Sequence, residues 1–71
     1  MIAEVILWDN GLVMVFDDRG KQMCEYQGHQ KDAQRRLRTA NLAQARFFLG
    51  SWSVRKLRPC DKETILGKEV T

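Results

Sequence analysis

The tripeptide Asp9-Asn10-Gly11 sits between two short apolar, β-rich runs, Ala3 to Trp8 and Leu12 to Phe16. Asn-Gly between such runs is the strongest short-range hairpin signal, because both residues tolerate φ > 0. The chain is committed at its outset to antiparallel β structure. Within both runs the apolar residues occupy both parities: Val5 and Leu7 against Ile6 and Trp8, then Leu12, Met14 and Phe16 against Val13 and Val15. A sheet with one wet face alternates more cleanly, so both faces are expected to be covered.

Asp17-Asp18-Arg19-Gly20 reads as a second turn, after which Gln22 to Tyr26 can extend as a third antiparallel strand ending near Gly28. The period then changes. From Gln30, the residues Ala33, Leu37 and Ala40 recur at helical spacing, with Lys31, Arg35 and Arg38 on the opposite side of the wheel. This amphipathic helix is expected to break near Asn41, with continuation toward Phe48 as the alternative. A short strand follows through Arg46 to Leu49, then a turn at Gly50-Ser51 and a strand from Trp52 to Leu57 or Arg58, stopped by Pro59. The expected fold is a small single α+β domain with an antiparallel sheet: a three-stranded meander, one amphipathic helix and a second hairpin. Residues 1–58 form its core. Residues 59–71 form a C-terminal tail whose Ile65, Leu66 and Val70 can add a helical turn or a strap against the sheet.

Seventy-one residues bury only about 60% of the surface exposed by the unfolded chain, so stability is expected to be thin. The two cysteines, Cys24 and Cys60, form no CxxC pair and His29 is the sole histidine, a composition that does not suit a tetrahedral zinc site. A disulfide between them is compatible with the spacing but is not dictated by it. The N-terminal apolar run is too short for a leader, and no run approaches the roughly 20 apolar residues of a membrane helix. A cytoplasmic protein with reduced thiols and no membrane association is expected.

Charge is distributed unevenly. The segment from His29 to Arg58 carries eight Lys or Arg (Lys31, Arg35, Arg36, Arg38, Arg46, Arg55, Lys56 and Arg58) against Asp32 alone, within a chain of net charge +3. Such a bias sets up a local field that favours a polyanion or an acidic protein surface. The expected binding residues are Arg35, Arg36 and Arg38 on the helix with Arg55, Lys56 and Arg58 on the last strand, provided helix and hairpin lie side by side. Guanidinium groups there can neutralise phosphates bidentately, with Trp52 or Tyr26 available for base stacking. The plainer alternative is a solvated helix face, edge-strand charges that discourage pairing, and aromatic rings packed in the core. Strict alternation would put Trp52, Val54, Lys56 and Arg58 on one side and Ser53, Arg55 and Leu57 on the other. That split fits an edge or groove better than one flat phosphate-binding plane.

Nothing calls for catalysis or a cofactor. His29 at the helix entrance lacks a recognisable nucleophile or orienting partner, and capping or exposure accounts for it. Turn chemistry accounts for Asp17-Asp18. The glycines are too dispersed for a phosphate loop. Of the thiols, Cys60, beside Pro59 and near Lys62, reads as the more reactive.

The segment Trp8-Asp9-Asn10-Gly11-Leu12-Val13-Met14-Val15-Phe16-Asp17, the later Gly20 and Glu25-Tyr26-Gln27-Gly28, and Phe47-Phe48 with Gly50 and Trp52 resemble a family of short, uncharacterised proteins encoded by bacteriophages and prophages. The resemblance spans roughly residues 5–58; the chain lacks that family's proline-rich break between helix and second hairpin. It implies a phage or mobile-element origin and supplies no functional residues. By analogy, it raises the expectation of a non-enzymatic accessory protein that binds a host protein with an acidic surface. Nucleic-acid binding through the basic segment is the alternative. The apolar sheet faces and short chain also favour a homodimer, in which a second copy covers what one helix cannot.

Overall fold

The computed structural model describes residues 1–67. Strands β1 (Ile2–Trp8) and β2 (Leu12–Asp17) pair antiparallel around Asn10-Gly11, with Val5 opposite Val15 and Leu7 opposite Val13. Only Gly11 has positive φ (87°) in this turn. Its N–H donates to Trp8 O at 2.9 Å, and Asn10 Oδ1 accepts from Leu12 N–H at 3.1 Å. The connection is thus the three-residue loop Asp9-Asn10-Gly11 between the expected strands, ending in a left-handed glycine. Near the other end, the register slips between Ile2 and Glu4. That bulge turns Ile2 toward the face occupied by Val5, where it is buried.

The third strand expected over Gln22 to Tyr26 does not form there. Asp17 Oδ1 accepts from both Arg19 and Lys21 N–H at 2.9 Å, curling the chain tightly. Gln22 makes one isolated bridge to Phe16, and Cys24–Tyr26 closes into a single 3₁₀ turn. Pairing resumes only at β3 (Gly28–His29), antiparallel to Leu12 and Val13.

Helix α1 (Gln30–Leu37) starts at once from His29 and buries Ala33 and Leu37. His29 occupies the N-cap position but its side chain makes no capping hydrogen bond. The helix ends at Leu37 with Arg38 as its C-cap, short of the break expected near Asn41 and well short of the alternative continuation toward Phe48; Asn41 Oδ1 instead accepts from Ala43 N–H in the loop that follows. The chain then enters β4 (Arg46–Ser51), which pairs parallel with β1, Val5 facing Phe47 and Leu7 facing Leu49. β5 (Lys56–Pro59) returns antiparallel along β4. The order β3-β2-β1-β4-β5 makes a mixed five-stranded sheet, correcting the purely antiparallel expectation. A helix that carries the chain across a sheet delivers the next strand in the parallel sense.

The second hairpin also differs in detail. β4 runs through Gly50 and Ser51, and the turn lies at residues 52–55, with Arg55 at φ 49°. Pro59 belongs to β5, where an outermost strand tolerates it. The stretch read as a tail contributes α2 (Lys62–Leu66), whose Ile65 and Leu66 are buried. Gln30 and Gln34 Nε2 donate to Ile65 O at 3.2 and 2.9 Å, tying α2 to α1. Val70 lies outside the described residues.

Both helices pack on one side of the sheet. There Val5, Val13, Val15, Phe47, Ala33, Leu37 and Ile65 form one buried cluster. Among the described residues no helix lies over the opposite side, correcting the expectation that both faces are covered.

Candidate functional site

Residues paired across neighbouring strands share a face, so the register defines the open side. Phe16 lies opposite Glu4, Met14 opposite Ile6, Phe48 opposite Ile6 on the other flank, and Leu57 opposite Gly50. Ile6, flanked by Met14 and Phe48, is 5% exposed although no helix covers it. Phe16, Met14, Phe48 and Trp8 are half-buried. Trp52 at 49% and Leu57 at 41% stand out to solvent.

The two tryptophans stack on each other on this face. Trp8 pairs with Gly50 in register, and a Cβ added at Gly50 would meet Trp8 ring atoms at 2.5–2.9 Å. The indole therefore lies in the space a side chain would fill, which explains a glycine inside a strand. Trp52 stacks on it, with centroids 4.2 Å apart and planes 19° from parallel. Trp8 Nε1–H donates to Met14 Sδ at 2.9 Å. Asp9 secures the arrangement from the strand end: its N–H donates to Gly50 O at 3.0 Å, its Oδ2 accepts from Ser51 Oγ at 3.2 Å, and Oδ1 accepts from Trp52 N–H at 3.5 Å.

Both Trp52 and Tyr26 had core packing as their plainer reading. Tyr26 does pack against the buried cluster, whereas Trp52 does not. The turn at residues 52–55 breaks the alternation assumed for a continuous strand. Trp52 consequently stacks on the open face with Trp8 while Lys56 and Arg58, opposite Ser51 and Leu49, belong to the helix side.

The six expected binding residues are all exposed, but they fall into two groups. Arg35, Arg36 and Arg38 belong to α1 and its C-cap; α1 contacts β2 and β3, and Arg36 Nη1–H donates to Gln27 O at 2.7 Å. Lys56 and Arg58 belong to β5 at the other edge of the sheet, with Arg55 in the turn before it. The two groups do not share one plane. The start of α1 does approach the strand cations at a cleft of about 490 Å³, where Gln30, Leu7 and Leu49 line the same space as Lys56 and Arg58.

Cys24 and Cys60 are both free thiols. Burial, reinforced by Asp61, pushes the Cys60 thiol above its ordinary pKa, while Cys24 is exposed. Cys24 is thus the more accessible nucleophile, reversing the sequence expectation. Among the described residues no three His, Cys, Asp or Glu side chains converge as metal ligands, and no helix is long and apolar enough to cross a membrane.

No protein-family model, curated protein or solved structure matches the chain. The site must be judged by its own geometry. Apolar residues at both parities of β1 and β2 point to two apolar faces; what the sequence does not reveal is that both helices go to one of them.

Proposed function

We propose that this chain is a protein-binding accessory factor, not an enzyme, and that it works through the open face of its sheet. The observation that carries this reading is the contiguous apolar surface around Trp8, Met14, Phe48, Trp52 and Leu57 on the side without helices. Contiguous apolar patches of this kind mark interaction surfaces on small domains, and half-exposed tryptophans are common binding anchors. The resemblance to phage-encoded proteins makes a host protein the partner class. A partner recognised through an acidic surface would engage the cations of α1 or β5 instead.

Capture from a host extract separates these sites. Immobilised wild type would be compared with Trp52→Ser/Leu57→Glu and with Arg35→Glu/Arg36→Glu/Arg38→Glu, with bound proteins quantified by mass spectrometry. A partner lost from the first variant and retained by the second supports the open face. The reverse pattern moves the site to the helix.

One observation favours nucleic acid as a second reading: the exposed Trp52 ring, already stacked on Trp8, lies in the same turn as Arg55. A ring and a cation so placed can hold an unpaired base and its phosphate. Titration of labelled single-stranded DNA and RNA at two salt concentrations tests it. Salt-sensitive binding abolished by Trp52→Ala supports this reading, and no binding at low salt removes it.

A further inference from the structure

We infer that the open face is covered by a second copy of this chain, the two sheets stacking face to face about a two-fold axis. This rests on the reading of that face as a protein-docking surface, and it names the occupant in the absence of a host protein, the two partners competing for one surface. Three observations bear on the choice.

The first is electrostatic. The register places one acid, Glu4, and one arginine, Arg46, side by side on the open face, so their charges balance. The cations of α1, together with Lys56 and Arg58, belong to the helix side. Face-to-face stacking directs both basic sides outward and brings together two faces whose strands carry no excess charge, with Arg55 in the turn at the rim of each. An acidic partner would find its complement elsewhere on the molecule.

The second is size. Strands β2, β1, β4 and β5 hold 6, 7, 6 and 4 residues; at about 3.3 Å per residue and about 4.8 Å between strands they span roughly 360 Å² in plan. Side chains standing on that plan expose more than its area, so two copies remove on the order of 1,000 Å² in total, the lower bound of a specific interface. The third is stability. A 71-residue chain with helices on one side only gains from oligomerisation what its single core lacks. Sheets packed in this way lie about 10 Å apart with interdigitated side chains.

Sedimentation velocity on the intact protein from micromolar to millimolar concentration tests the inference. A reversible dimer is expected, with Kd of about 10–100 µM, at the weak end for so small an interface. Leu57→Glu, at an exposed edge-strand position, should raise that Kd by at least about tenfold. Trp52→Ser should weaken the dimer in the same direction, and Arg35→Glu on the helix side should leave it unchanged. A wild-type monomer throughout, or a dimer lost by Arg35→Glu and indifferent to both face variants, overturns the inference. If the wild type stays monomeric while Trp52→Ser/Leu57→Glu still loses a captured host protein, the second copy is excluded and the docking face stands.

Discussion

The two sides of the sheet are built from the same kinds of residue and do different things. On the helix side, Val5, Val13, Val15 and Phe47 are sealed by Leu37 and Ile65. On the open side, Ile6, Met14, Phe48 and Trp8 lie among one another, Trp52, Leu57 and Pro59, with no helix of the described residues over them. Apolar character alone therefore does not distinguish core from contact surface in a chain this small. What distinguishes them is where the helices go. α1 and α2 are linked by the Gln30 and Gln34 amides to Ile65 O, which holds both on one side.

Truncation should expose this contrast most sharply. Ile65→Ala opens a cavity in the sealed cluster and is expected to lower folding stability by about 2–4 kcal/mol, most of what a domain of this length possesses. Leu57→Ala should change monomer stability by less than about 0.5 kcal/mol, since an exposed side chain loses little packing. Chemical denaturation at low concentration, where monomer prevails, compares the two. Equal losses would mean that the open side is also core.

Gly50→Ala comes next. The new methyl group must displace the Trp8 ring, which we expect to cost about 1–3 kcal/mol. It should also separate the two indoles, seen as loss of their coupled signal in near-ultraviolet circular dichroism. A retained signal would mean that the ring can shift without breaking the stack.

Thiol chemistry tests the same contrast between sealed and open positions. Cys24 should react faster than Cys60 with a neutral disulfide reagent at pH 8, because Cys60 packs against the cluster and its thiol is harder to ionise. Mass spectrometry of partly labelled protein resolves the order; faster labelling at Cys60 would place that residue outside the sealed side.

The smallest effect concerns the turn after β2. The Lys21 N–H hydrogen bond, aided by that of Arg19, holds the Asp17 carboxyl below its usual pKa. A carboxylate with a depressed folded-state pKa contributes stability above its unfolded value and loses it as pH falls through the folded value. Thermal midpoints should accordingly drop on acidification below about pH 4, and Asp17→Asn should flatten that part of the profile. An unchanged profile would show that the turn is not held by the ionised form.

Much of this architecture could be read from residue pattern. The Asn-Gly hairpin, the start of the helix at Gln30 and a strand beginning at Arg46 all rest on local chemistry that acts within a few residues; the helix end does not, since it falls at Leu37 rather than near Asn41. The failures are non-local or depend on one displaced turn. Gln22 to Tyr26 has strand-like composition, but the two bonds to Asp17 and the 3₁₀ turn take its backbone out of the ladder. The parallel pairing of β4 with β1 follows from a helix joining strands, a relation between elements that no local residue pattern displays. Gly50 looked like a turn residue because nothing local shows that Trp8, forty-two positions earlier, lies against it. The basic residues were recognised individually, yet their separation onto α1 and β5 is a property of strand order. Trp52 was assigned to the wrong side because the turn begins at it.

The chain's two tryptophans, Trp8 and Trp52, stack on the open face, so their fluorescence reports that surface and no other. The most direct measurement is acrylamide quenching of tryptophan emission while association, with itself or with a captured partner, is followed in parallel by sedimentation. The quenching constant should fall in proportion to the associated fraction. Association with unchanged quenching would place the contact elsewhere and contradict the assignment of the open face as the working surface.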